Sequence, residues 1–166
     1  MAKLFIFAGL PGAGKSALSK RLAAQIGAVH LRIDTIEQAL RDLCSLDVEG
    51  EGYRLAYRIA ADNLGLGMDV IADSCNPIEL TRSEWQTVAT DADSRFVNIE
   101  IICSDPTEHR RRVETRRSEI SGLQLPTWRA VEEREYDPWS SDRIVIDTAG
   151  RREEDCFEDL LARLED

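Results

Sequence analysis

The chain has 166 residues, 43% of them hydrophobic and 31% charged, which is typical of one folded domain over residues 1–166. Its net charge of −10 disfavours a protein that coats a polyanion, so no nucleic-acid partner is expected, although a small basic pocket stays compatible. No apolar run approaches the roughly 20 residues of a membrane helix, and the four scattered cysteines argue against a zinc site and favour a reduced cytoplasmic location.

Strand and helix signals alternate along the chain. Apolar runs predict five strands, at residues 3–8, 29–33, 70–72, 96–103 and 143–148. Apolar residues at helical spacing predict helices over 16–26, 36–43, 53–64, about 76–91, 105–117, 128–135 and 157–164. This alternation predicts an α/β sandwich around a five-stranded, mostly parallel sheet.

Three short segments carry helix-start signals. Asn76-Pro77-x-Glu79 and Asp105-Pro106-x-Glu108 each place a capping residue before a proline at the first helical position. Asp34-x-x-Glu37 has the spacing of a capping box. We therefore expect Asn76, Asp105 and Asp34 to lie at the N-termini of helices.

Polar residues follow every predicted strand. They are Gly9–Ser16, Asp34, Asp73, Ser104 with Asp105, and Asp147 with Thr148. Because ligands bind at the carboxyl ends of strands in sheets of this kind, the sequence predicts one site where these five ends meet.

The segment GLPGAGKS, Gly9 to Ser16, matches the phosphate-binding pattern G-x-x-x-x-G-K-[ST] between a strand and a helix. Its glycines let backbone N–H groups approach phosphate oxygens, and the helix N-terminus that follows favours anions. The alternative is a plain glycine-rich turn. The nucleotide-binding residues predicted here are Gly9, Leu10, Pro11, Gly12, Ala13, Gly14, Lys15, Ser16 and Ala17. Lys15 would reach the β- and γ-phosphates, and the Ser16 hydroxyl would bind Mg²⁺.

Two carboxylates complete the predicted chemistry. Asp73 ends a buried strand and would hold Mg²⁺ together with Ser16; the alternative is a turn or cap aspartate. Asp34 would act as the general base that takes a proton from an acceptor hydroxyl, and it can also cap its helix.

Cationic charge is concentrated in one segment. Residues 105–117 hold five arginines against three acids, and Arg112 and Arg116 share a helix face. We predict a lid over residues 105–125 in which these two arginines contact the nucleotide; the alternative is a solvated charged face. His109 is expected to be an exposed bystander, and Trp128 is predicted to line an acceptor pocket.

These residues resemble the small P-loop kinases related to gluconate kinase, chloramphenicol phosphotransferase, zeta toxins and polynucleotide kinase. The resemblance rests on GLPGAGKS, on residues 32–37, 70–82 and 103–116, and on 146–148. It implies the three-layer sandwich of P-loop NTPases, with strand order 2-3-1-4-5 and an arginine-rich lid helix.

The resemblance also implies residue roles. Asp34 would be the acceptor-side base, Arg112 would pack on adenine, and Arg116 would contact phosphate. Thr148 would edge the adenine pocket, and Arg82 would face the acceptor.

Relatives often carry arginine three residues after the aspartate, where this chain has Glu37. A carboxylate there is expected to repel a strongly anionic acceptor.

The predicted function is therefore transfer of the γ-phosphoryl group of ATP, with Mg²⁺, to a hydroxyl of a small-molecule acceptor. Two alternatives stay open. One is a nucleotide-binding ATPase or regulator without an acceptor, and the other is a zeta-type toxin kinase.

Overall fold

The strands form one parallel sheet in the computed structural model, which describes residues 1–165. The five strands are β1 (Lys3–Ala8), β2 (Val29–Arg32), β3 (Val70–Asp73), β4 (Arg95–Ile102) and β5 (Ile144–Asp147). The seven helices within these residues are α1 (Lys15–Ile26), α2 (Ile33–Cys44), α3 (Glu51–Gly65), α4 (Glu79–Asp91), α5 (Pro106–Thr115), α6 (Trp128–Glu132) and α7 (Glu153–Glu165). The strand order is β2-β3-β1-β4-β5 and every pairing is parallel, which confirms the predicted sheet.

β1 is the central strand, and its two faces build two separate apolar cores. Phe5 and Phe7 pack toward α1 and α7, whereas Leu4 and Ile6 pack toward α3 and α4. Alternation along one strand thus covers both faces of the sheet with helices, as a parallel sheet requires. The result is the expected three-layer sandwich. No helix within residues 1–165 is long and apolar enough to span a bilayer.

Only one of the three helix-start signals acts as predicted. The Asp105 carboxylate accepts hydrogen bonds from the N–H groups of Thr107 and Glu108 at the start of α5. The capping role predicted for Asp34 is wrong, because α2 begins at Ile33 and has no side-chain cap, although Asp34 does lie in the first turn of the helix as expected. Because the Asp34 carboxylate makes no capping hydrogen bond, it is free to face the carboxyl edge of the sheet.

The prediction for Asn76 is also wrong. Asn76 is fully buried, and its amide donates to the carbonyl of Phe7 at 2.8 Å instead of capping α4. The capping role falls to Asp137, a residue distant in sequence, whose carboxylate accepts from the N–H of Glu79 at 2.9 Å. Local spacing could not reveal this cap because its acceptor comes from another part of the chain.

Arg82 is a structural residue, which corrects the expectation that it faces the acceptor. It has no exposed surface, and its guanidinium lies 4.1 Å from the ring centre of Trp139. Its N–H groups donate to the backbone carbonyls of Asn76, Pro77, Asp137 and Pro138. Arg82 therefore ties the segment after β3 to the segment before β5.

We expect Arg82→Met to lower the free energy of unfolding by about 3 kcal/mol, because four backbone carbonyls lose a buried charged donor. Urea unfolding measures this loss, and Arg58→Met, at an exposed position on α3, is the matched control. Equal losses in the two variants would contradict the structural role of Arg82.

Candidate functional site

The segment from Gly9 to Ser16 leaves β1 and enters α1 as a loop of left-handed glycines. Gly12 has φ +84° and Gly14 has φ +101°, values that residues with a side chain rarely adopt. Gly14 is the N-cap residue of α1 and offers no side chain to the first helical N–H groups. These donors and the positive end of the helix therefore form a place for an anion.

Helix α5 packs directly against this loop. A Cβ atom on Gly12 would lie 2.6 Å from Val113 Cγ2. The His109 ring donates from Nε2 to the carbonyl of Pro11 at 2.8 Å, so His109 is buried and the expectation of an exposed bystander is wrong. The arginine-bearing helix is thereby held beside the phosphate-binding loop.

Trp128 does not line the cavity of about 540 Å³ beside Asp34, which corrects its predicted role in acceptor binding. Its ring packs edge-on against His109, with 5.2 Å between the ring centres. Leu125 and Pro126, from the same sequence segment, line that cavity instead. Trp128 thus packs against the histidine that joins α5 to the loop.

Asp73, at the end of β3, lies beside the loop. It is 2% exposed, and its carboxylate lies 3.9 Å from Lys15 Nζ and 3.6 Å from His30 Nε2. Burial alone would raise the pKa of Asp73, but contacts with His30, Lys15 and Ser16 outweigh it and lower the pKa to about 2. Asp73 is therefore a buried, ionised carboxylate at neutral pH.

Thr148, directly after β5, joins this strand end to the loop and to α5. Its hydroxyl donates to the carbonyl of Ala13 at 2.7 Å. Arg112 donates to the Thr148 hydroxyl at 2.7 Å and to its carbonyl at 2.9 Å. The structure thus brings together Arg112 and Thr148, the two residues that the resemblance to P-loop kinases assigns to the adenine base.

Four cavities follow one another along the carboxyl edge of the sheet, and we name each by a lining residue. The Thr148 cavity is about 220 Å³, the Lys20 cavity about 290 Å³, the Asp34 cavity about 540 Å³ and the Tyr53 cavity about 470 Å³. Neighbouring cavities share walls, so they form one cleft. The shared residues are Gly12, Gly14, Ala17 and Arg112 for the first pair, Lys15, Ser16, Arg32, Asp34, Arg116, Leu123 and Leu125 for the second, and Asp34, Glu37, Cys75 and Arg134 for the third.

Asp34 lies at the junction of this cleft, because it lines the Lys20, Asp34 and Tyr53 cavities. Arg116 lines the first two of these and has a buried Nε without a hydrogen-bond partner in residues 1–165. Burial lowers the pKa of Arg116, and the charge of Asp34 opposes that shift. A carboxylate and an incompletely paired guanidinium therefore meet between two cavities.

The Lys20 cavity is strongly cationic. Six cations line it against two carboxylates: Lys15, Lys20, Arg32, Arg112, Arg116 and Arg117 against Asp34 and Glu119. Glu119, in the segment after α5, accepts hydrogen bonds from Lys20 and from Arg32 Nη1. This contact holds that segment across the cavity while an excess of positive charge is left for an anion.

Sequence reasoning missed several charged residues of the cleft, among them Arg32, Arg41 and Arg134, and it also missed His30 beside Asp73. His30 and Arg32 alternate along β2, and the register pairs Arg32 with Asp73, so their spacing was a usable signal. Arg134 follows α6 and has no such signal, because only the tertiary fold brings it to the cleft.

The strand order, the glycine loop between β1 and α1, and the buried aspartate at the end of β3 define the class of P-loop NTPases. A family model described as "AAA domain" matches residues 4–134, and the chain belongs to this family. None of the curated proteins matches the chain.

Several solved structures share the fold. A candidate kinase from Chloroflexus aurantiacus J-10-fl is 20% identical, with a TM-score of 0.74 over 99% of this chain and 96% of its own. A gluconokinase from Sinorhizobium meliloti 1021 is 15% identical, with a TM-score of 0.69 over 98% and 91%. The APS kinase CysC of Mycobacterium tuberculosis, in complex with AMPPNP and APS, is 19% identical, with a TM-score of 0.67 over 99% and 98%. At these identities the likeness shows the fold alone.

We expect Gly12→Ala to destabilise the protein more than Gly67→Ala, by about 1–3 kcal/mol. The two glycines have φ +84° and +83°, so the backbone strain is the same, but Gly67 has open space where Gly12 has Val113. Urea unfolding of both variants isolates the contact with α5. Equal destabilisation would show that α5 does not pack on the loop.

Because the pKa of Asp73 is lowered in the folded state, the free energy of unfolding depends on pH in the acid range. The ionised form stabilises the fold above the ordinary carboxyl pKa of about 4, and this stabilisation is lost as the pH falls toward 2. We expect Asp73→Asn to flatten the fall in unfolding free energy between pH 4 and pH 2. Asp91→Asn, at an exposed position, should keep the wild-type slope; an unchanged slope in Asp73→Asn would contradict the pKa.

Proposed function

We propose that the chain is an ATP-dependent kinase that transfers the γ-phosphoryl group to a hydroxyl of a small-molecule acceptor. The observation that carries this proposal is the position of Asp34. It lines both the Lys20 cavity and the larger Asp34 cavity, and Lys15 and Ser16 lie in the wall that these two cavities share. A donor phosphate and an acceptor hydroxyl can therefore meet at one carboxylate.

The donor occupies two of the four cavities in this proposal. The triphosphate lies in the cationic Lys20 cavity, where Lys15 and the N-terminus of α1 bind its β- and γ-phosphates. The nucleotide base lies in the Thr148 cavity, where the planar Arg112 guanidinium can stack on it. The contact between Arg112 and Thr148 fixes that guanidinium at the wall.

Ser16 and Asp73 are the residues that would hold Mg²⁺. They fit this ion because Asp73 is ionised and its buried Oδ2 has no hydrogen-bond partner in the described residues. Residues 1–165 contain no group of three or more His, Cys, Asp or Glu side chains able to bind a metal, so phosphate oxygens and water would have to supply the other ligands. When bound, Mg²⁺ neutralises charge on the phosphates.

Asp34 and Arg116 carry the acceptor side of the reaction. The acceptor oxygen bonds to the γ-phosphorus, the bond from that phosphorus to the β–γ bridging oxygen breaks, and ADP leaves. Asp34 takes the hydroxyl proton, while Lys15 and Arg116 stabilise the charge on the transferred group. The small-molecule kinases among the structures of the same fold, gluconokinase and APS kinase, support this reaction class.

A nucleotide hydrolase without an acceptor would need no space beyond the γ-phosphate. The Asp34 cavity offers about 540 Å³ beyond the phosphate-binding loop, which is room for an acceptor. This space favours transfer over hydrolysis. The zeta-type toxin is a special case of the same chemistry, and growth arrest that depends on Lys15 would identify it.

The cysteines are unpaired in the structure, which suits the reducing cytoplasm that we propose for the enzyme.

We expect Asp34→Asn to lower phosphoryl transfer about 10²- to 10⁴-fold, because the general base is lost. Transfer of label from [γ-³²P]ATP to compounds in a metabolite extract measures the effect, with Lys15→Ala as the blank. Calorimetric titration should show that Asp34→Asn still binds ATP.

Asp42→Asn on the same helix is the control, since an asparagine oxygen can still accept from Gln38. Unchanged transfer in Asp34→Asn would remove Asp34 as the base. Release of labelled phosphate with no labelled acceptor in the wild type would favour a hydrolase.

A further inference from the structure

The acceptor end of the cleft has a charge of its own. Three charged residues line the Asp34 cavity but not the Lys20 cavity: Glu37, Arg41 and Arg134. Since phosphates occupy the Lys20 cavity in the proposed function, these three side chains are left for the acceptor. They comprise two cations and one carboxylate.

Glu37 is held firmly in the wall of the cavity. Its side chain is 19% exposed and packs on Gly52 so closely that an ideal Cβ there would lie 2.4 Å from Glu37 Cγ. Burial, and after it the charge of Asp34, raises the pKa of Glu37. The carboxylate lies 3.7 Å from Arg41 Nη2, so its charge is directed at a neighbouring guanidinium.

Arg134 is an exposed cation whose charge acts on Glu37 without forming an ion pair with it. Its guanidinium makes no hydrogen bond and no ion pair to any residue in 1–165, although it lines both the Asp34 and the Tyr53 cavities. Arg41 is only loosely engaged, since its contacts with Glu37 and Gln38 measure 3.7 and 3.5 Å. One carboxylate therefore does not neutralise the two arginines, and the expectation that Glu37 repels an anionic acceptor does not fit this geometry.

The Tyr53 cavity limits where an anion can lie. Its charged lining is four carboxylates against two arginines: Asp34, Glu37, Glu49 and Glu84 against Arg54 and Arg134. An anionic group is therefore favoured on the near side of Arg134, toward Arg41, and disfavoured beyond it.

We propose that the acceptor is a hydroxyl compound that carries one anionic group, a carboxylate or a phosphate monoester, bound between Arg41 and Arg134. Its hydroxyl then lies at Asp34, and Glu37 is free to accept a hydrogen bond from a neighbouring acceptor group. This inference rests on the proposed kinase function and assigns the substrate class of the same site.

The test separates a metabolite extract by ion exchange into anionic, cationic and neutral fractions. Each fraction is incubated with the wild-type protein and [γ-³²P]ATP, with Lys15→Ala as the blank. We expect labelled product from the anionic fraction. Treatment of that fraction with phosphatase, which is then removed, distinguishes the two sources: survival of the acceptor assigns a carboxylate, and loss assigns a phosphate monoester.

Arg134→Gln should raise the half-saturating amount of the anionic fraction about tenfold, the effect of one lost charge-assisted hydrogen bond. Arg134→Lys should restore most of the affinity because it keeps the charge. Arg129→Gln is the control: Arg129 lies on α6, five residues away, and its side chain is 83% exposed and paired only with Glu133.

Three results would overturn the inference. Labelled product from only the neutral or cationic fraction would refute the anionic acceptor and leave the kinase function intact. Equal behaviour of Arg134→Gln and Arg129→Gln would remove Arg134 from the acceptor site. No label above the blank in any fraction would refute the kinase function itself.

Discussion

The burial of β1 between β3 and β4 is the constraint on which the rest of the structure depends. Parallel pairing on both sides fixes the direction of every strand, so all five carboxyl ends lie at one edge. The phosphate-binding loop, Asp73 and Thr148 each lie at the end of a different strand and meet there. A site assembled from strand ends inherits its geometry from the core rather than from flexible loops.

Charge is distributed unevenly along the cleft that this edge supports. The chain as a whole has a net charge of −10, but the Lys20 cavity has six cations against two carboxylates. Beyond Arg134 the sign reverses in the Tyr53 cavity. This pattern would draw anions to the middle of the cleft and orient an acceptor that carries charge at one end.

Patterns that are local in sequence predicted most of the fold. Apolar runs gave the strands because parallel strands are buried on both faces, and the loop from Gly9 to Ser16 carries its chemistry in consecutive residues. Asp73 and Asp34 were found for the same reason, since Asp73 ends one strand and Asp34 comes shortly after another. The strand order itself came from the resemblance to P-loop kinases, not from periodicity.

The predictions that failed depend on contacts between distant segments. Arg82 and Trp128 are predicted at the acceptor, but Arg82 donates to backbone carbonyls near Asp137, and Trp128 packs against the ring of His109. Asn76 lost its capping role to Asp137, which lies 58 residues from the capped N–H. Arg134 escaped notice because nothing around it in sequence marks it as part of a site.

In the proposed kinase, donor and acceptor share one cleft whose junction is Asp34. A crystal structure with a non-hydrolysable ATP analogue would show whether they do. We expect the nucleotide base beside Arg112 and Thr148, and the terminal phosphate between Lys15 and Asp34. A terminal phosphate directed away from Asp34, or a base bound in the Tyr53 cavity, would contradict it.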